Sequence, residues 1–126
     1  MGFWGRIQIG CTVAVALALQ VISASAGVNE IRAEAENRIR SQMIDPESTR
    51  FEWPFEFAAT KEGGFYTCGR VNAKNRMGGY AGASWFSVAT KDGQIINIQL
   101  EDTSPWIVGP CVKAARKGEL KPRANQ

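Results

Sequence analysis

An α+β fold is predicted by three observations: a narrow apolar helical stripe early in the chain, four strand-like runs punctuated by turn residues, and a short second helix that carries a cysteine. The order is helix, four strands, helix. Consecutive strands joined by short turns form an antiparallel meander, and helices cover a sheet face that would otherwise meet water. We therefore expect an N-terminal helix, a four-stranded antiparallel meander, a short C-terminal helix and one disulfide, with the helices on one face of the sheet.

The first 26 residues read as a secretory signal rather than as part of this fold. Arg6 supplies a positive start, Ile9 to Ile22 is mostly apolar, and Ala24-Ser25-Ala26 is a small-x-small cleavage site before Gly27. The apolar run is about 14 residues, short of the roughly 18 to 20 that span a bilayer. Cys11 does not suit lipidation, because the apolar run follows it instead of preceding it. Residues 27–120 then form one small domain, and 121–126 read as a disordered tail. Loss of Arg6 takes the formal charge from +3 to +2, too mild to indicate nucleic acid. The cations Lys113, Arg116, Lys117, Lys121 and Arg123 read as a solvated face and tail.

Asn29 can cap a helix over residues 30–41. Ile31, Ala35 and Ile39 recur every fourth residue as an apolar stripe, while Glu34 with Arg38 and Glu36 with Arg40 stand acid-first at i,i+4. Pro46 drives Asp45 out of helical geometry and ends the segment, although Asp45-Pro46 can start one further short turn. Residues 51–57 alternate strictly: Phe51, Trp53, Phe55 and Phe57 share one face, Glu52, Pro54 and Glu56 the other, as in a half-buried strand. Pro54 cannot donate to a ladder, so this strand lies at an edge or beside a bulge. Four aromatics could form a stacking platform; covering a helix is the commoner use.

Lys61-Glu62-Gly63-Gly64 is a turn, and residues 65–71 form the second strand. Residues 72–79 connect to a third strand over 80–89, in which Phe86 and Val88 face one way and Trp85 the other. Lys91-Asp92-Gly93 is a strong hairpin signal before a fourth strand over 94–100. Ser104 and Pro105 read as a helix start. Gly109-Pro110 interrupts it, leaving a helix over 110–117 that Gly118 ends.

Once the signal is removed, Cys68 and Cys111 remain as an even pair in an oxidising compartment and read as a structural disulfide joining the last helix to the second strand. Closing that loop removes denatured-state entropy worth about 4 kcal/mol. A reactive thiol would want a basic partner, and the chain has no histidine.

The stretch from Cys68 to Gly82 is the richest in special residues. Gly78-Gly79 permits positive φ at a hairpin, and Gly69 and Gly82 permit close backbone approach. Asn72, Lys74, Asn75 and Arg76 offer donors on a connection of about eight residues, longer than the common two to five, with Tyr80 beside them. We take Asn72, Lys74, Asn75, Arg76 and Tyr80 as candidate binding residues, since binding groups concentrate on loops of rigid scaffolds. The bland alternative is that Asn72 and Asn75 satisfy loop backbone while Tyr80 packs over the glycines.

At Asp45-Pro46-x-Ser48-x-x-Phe51 and Cys68-Gly69-x-Val71-Asn72-x-Lys74-Asn75-x-x-Gly78-Gly79-Tyr80-x-Gly82 the chain resembles a widespread group of small exported or membrane-anchored proteins of proteobacteria and their prophages, mostly of unassigned function. The group commonly carries a Phe near the end of the third strand, matched here by Phe86. Some phage-borne members are associated with superinfection exclusion at the inner membrane. The resemblance thus implies an alternative role, as a membrane-held protein acting against an incoming phage. This chain departs from the anchored members in its better cleavage site and shorter apolar run.

The absence of histidine excludes histidine-based triads and histidine metal sites. No nucleophile motif or phosphate loop occurs, and Glu101-Asp102 reads as a solvated strand end. Lys74, as a lone base, would need a burial that a loop does not offer. We expect no enzyme, no cofactor and no metal. The expected function is that of a periplasmic or secreted interaction module holding an envelope or phage protein through residues 72–82, with membrane contact only if the signal is retained.

Overall fold

A computed structural model describes residues 24–124; residues 1–23, which hold most of the signal expected over 1–26, and the last two residues lie outside the described range. Helix α1 (Ala24–Arg40) is followed by a 3-10 turn (Pro46–Ser48) and strands β1 (Arg50–Glu52), β2 (Ala58–Ala59), β3 (Phe65–Asn72), β4 (Ser84–Lys91) and β5 (Gln94–Leu100). A second 3-10 turn (Pro105–Ile107) runs into helix α2 (Val108–Arg116). The sheet is antiparallel in the order β1-β3-β4-β5, with β2 also on β3. The expected α+β meander with one disulfide is what the chain forms.

Helix α1 starts five residues before the expected Asn29 cap. Ala24 and Ala26 are strong helix formers, and Gly27 costs only about 1 kcal/mol, too little to stop propagation. Asn29 instead accepts a 3.5 Å bond from Arg32. Ile31, Ala35 and Ile39 form the inward stripe as expected, packed with Trp53, Val71, Phe86, Val88, Ile95 and Leu100. Glu34 pairs with Arg38, and Glu36 lies 3.9 Å from Arg40.

The expected strand over 51–57 is broken at Pro54, and this corrects the single aromatic face. Phe51, Trp53 and Phe57 lie on the α1 side, whereas Phe55 turns to the opposite side of the sheet and packs with Cys68, Cys111, Ala114 and Leu120. Proline removes the donor that regular pairing at its position would use, so the chain is free to twist there and alternation is lost. The tail also differs from expectation. Glu56 N donates to Lys121 O at 2.8 Å, Arg123 N donates to Pro54 O at 3.0 Å, and Phe55 bridges Pro122. Residues 121–123 thus form a strand-like strap along the segment that Pro54 deprives of a partner.

The helices lie on opposite faces, not on one. In β3, Thr67, Gly69 and Val71 point toward α1, while Tyr66 and Cys68 point toward α2. The Cys68–Cys111 disulfide fastens α2 to that second face, with Cα atoms 6.0 Å apart. Gly109-Pro110 does not interrupt α2, because the N–H groups of a first helical turn need no intrahelical acceptor.

Phe86, fully buried, centres the α1-side core, edge-on to Trp53 at 4.8 Å and to Phe51 at 6.1 Å. Gly69 makes room for it: a Cβ there would stand 2.4 Å from the Phe86 ring and 2.7 Å from Glu52 O. Arg32, which sequence patterning did not single out, is buried beneath the 53–57 segment, 3.4 Å from Glu56 and 5.7 Å from the Phe57 ring centre. Burial, and then the nearby Arg123, lower its pKa, and Glu56 opposes them.

Candidate functional site

Between β3 and β4 the chain forms a small secondary hairpin in place of an open loop. Lys74 bridges Tyr80, so the expected third strand begins at Ser84 and Tyr80 belongs to this hairpin. Asn75 closes its tip with backbone and side chain together. Asn75 N donates to Gly79 O at 2.9 Å, Gly78 N donates to Asn75 O at 3.0 Å, and the Asn75 side-chain oxygen accepts from Met77 N at 2.9 Å and Gly79 N at 3.3 Å. Asparagine suits this position because its short amide mimics one backbone unit of a turn. Gly78 supplies the left-handed residue, at φ 80°. Gly82 is also left-handed, at φ 106°, but has open space around it, so its backbone angle and not close approach selects glycine.

The hairpin is tied to the 3-10 turn that follows α1. Lys74 N donates to Ser48 Oγ at 2.9 Å, and Tyr80 OH donates to Ser48 O at 2.8 Å. Ser48 Oγ in turn donates to Asp45 O at 2.8 Å. Arg50 lies 4.4 Å over the Tyr80 ring and the Lys74 amine 5.9 Å from it. Such cation–π contacts contribute about 0.5–1 kcal/mol each at exposed sites. Ser48, not among the candidate residues, is therefore the joint between the two stretches Asp45–Ser48 and Lys74–Tyr80. Only its place in the first of the two motifs marked it in the sequence.

The candidate residues separate by role. Asn72 pairs across from Arg50 on β1, and its amide oxygen is buried without a donor among the described residues; it faces inward. Asn75 and Tyr80 are committed to the loop and to Ser48. Lys74 uses its backbone for Ser48 and holds its amine over the Tyr80 ring. Arg76 alone of the five makes no bond or ring contact among the described residues, and beside it Met77, which sequence reasoning missed, is 92% exposed. Its neighbourhood to two glycines was the available signal, since a long side chain at a glycine-bounded tip has little of its own fold to cover.

Next to the hairpin, a cleft of about 430 Å³ runs between the segment that follows α1, at Met43 and Ile44, and Gly82, Leu100 and Asp102. Ile44 stands 64% exposed. Lys74 and Asp102 give the wall one cation and one anion. Glu101 and Asp102 serve the sheet end: Glu101 Oε2 accepts from Trp85 N at 2.7 Å and Asp102 Oδ1 from Ser84 Oγ at 3.3 Å. Among the described residues, no three acidic or cysteine side chains gather as metal ligands would. The arrangement offers an apolar contact edged with polar groups; it assembles no nucleophile with a base. In comparison with known proteins, no family model, no curated protein and no solved structure matches this chain.

Proposed function

We propose that this protein is an exported, non-catalytic interaction module that holds an envelope or phage protein against the tip of the 74–80 hairpin and the adjoining cleft. One observation carries this reading: Arg76 and Met77 stand in solvent on a tip whose backbone is already closed by Asn75. A side chain presented on a prearranged loop loses less freedom on binding, and Arg and Met are enriched in protein interfaces. Ile44, at the cleft, extends the apolar part of the surface. Export is supported by the Cys68–Cys111 disulfide, because such bonds persist in oxidising compartments, and by the short apolar run before Ala24-Ser25-Ala26. Among the described residues, no helix is long and apolar enough to cross a membrane. The non-catalytic part of the proposal rests on the lack of histidine.

The test is a photo-crosslinking side chain placed at Met77 in the natively exported protein. A discrete adduct of one partner, lost when Arg76 is replaced by Ala, supports the proposal. Crosslinking only to water, or the same adduct from a probe at exposed Lys61 on another loop, rejects it.

A further inference from the structure

The sheet has two edges, and the chain treats them in opposite ways. The edge formed by residues 50–59 carries Arg50, Glu52 and Glu56, is broken by Pro54, and is covered by the 121–123 strap with its own Pro122. Charge, proline and cover are the devices by which native sheets keep an edge from pairing with another chain. The other edge is β5, Gln94–Leu100, bonded on its inner side to β4. It reads Gln-Ile-Ile-Asn-Ile-Gln-Leu, with no charge and no proline. Among the described residues, no strand, turn or side chain bonds the outer side of residues 94–99.

β5 carries one irregularity, a bulge, which by its twist can turn part of an edge away from a partner. Ala89 pairs with Asn97 and Thr90 with Ile95, so Ile96 is the inserted residue. The inserted residue is not a charge but isoleucine, 63% exposed. Trp106, also 63% exposed, flanks the same strand across a groove that it shares with Asn97 and Gln99. An unpaired ladder bordered by exposed apolar side chains is the surface that strand addition uses.

We propose that β5 is the interface of a two-fold homodimer, in which two copies pair antiparallel along Gln94–Leu100 and join their sheets into one. The occupant is a second copy because the strand is compatible with itself. In a two-fold contact the same patch meets itself, so any charge on β5 would be set near its own image, and β5 has none. Pairing about Asn97 sets Asn97 against Asn97 and Ile96 against Ile98. Asn97, at the axis, carries both a donor and an acceptor, so it can bond to its own copy. This interface is on a different element from the hairpin tip, and the two proposals stand or fall separately.

Sedimentation equilibrium of the natively processed protein is expected to give twice the chain mass. Ile96→Lys, which sets two like charges near the axis, is expected to weaken association at least about tenfold. Hydrogen exchange on the unsubstituted protein needs no variant: the amides of residues 94–99 should slow as concentration rises, while those of Phe65–Asn72 stay constant. A monomer mass at every concentration up to about 1 mM overturns the proposal. So does a dimer whose 94–99 amides do not respond to concentration, which would put the contact elsewhere. A monomer whose β5 amides are protected only when another protein is added also overturns it, and identifies β5 as a site for a foreign strand.

Discussion

Asn75 shows how a residue chosen for its donors becomes part of the scaffold that presents others. Its amide oxygen holds the Met77 and Gly79 N–H groups, so Asn75→Ala should lose roughly 0.5–1.5 kcal/mol, the net worth of a hydrogen bond. Arg76→Ala and Met77→Ala should stay within about 0.5 kcal/mol, as surface changes usually do. Urea unfolding with the disulfide intact compares the three; equal effects would mean that the tip is not organised by Asn75. Gly69 belongs to the same scale. Gly69→Ala places a methyl against the Phe86 ring and the Glu52 carbonyl, and overpacking of this kind costs about 1–3 kcal/mol. The same unfolding midpoint checks it, and an unchanged value would mean that Phe86 can move aside. The glycine and the asparagine were both visible in the sequence. Which contacts each one serves was not, because Ser48, Glu52 and Phe86 reach them only through the fold.

At the scale of elements, the segment 50–59 and its strap depart furthest from simple patterning. Alternation placed four aromatics on one face, and it held for Phe51, Trp53 and Phe57. Phe55 escaped because the Pro54 break lets the chain rotate, and the α2-side cluster with Leu120 offers it a second apolar environment. Deleting residues 121–126 should release the backbone bonds at Glu56 and Pro54, with about 1–3 kcal/mol lost for the two together. Amide exchange at Glu56 measures this directly; a rate unchanged by the deletion would mean that the strap is incidental. The turn of the β4–β5 hairpin, by contrast, was legible, although the start of β4 and the bulge at Ile96 were not. Asp92 at φ 53° and Gly93 at φ 74° are the two left-handed positions that a tight hairpin demands.

The whole molecule has two thin cores on either side of one sheet, and the disulfide belongs to the smaller. That cluster of Cys68, Cys111, Ala114 and Leu120 has little apolar area of its own, so Cys111→Ala should cost about 2–5 kcal/mol. Thermal unfolding under non-reducing conditions reads the loss. A near-neutral result would show that α2 holds its place by packing alone. Residue pattern was enough for the α+β class, the strand order, the hairpin at Asp92-Gly93, the inward stripe of α1 and the pairing of Cys68 with Cys111. These follow from local periodicity, from turn chemistry that acts over a few residues, and from an even cysteine count. Packing in three dimensions was needed to set which face α2 covers, where Phe55 turns, that residues 121–123 strap an edge, and that Ser48 ties the 74–80 hairpin to the turn after α1. Each of these joins groups at least 26 residues apart, or depends on which face of the sheet is already filled. No local pattern carries that information, because the free energy that selects among such arrangements is released only when the layers meet.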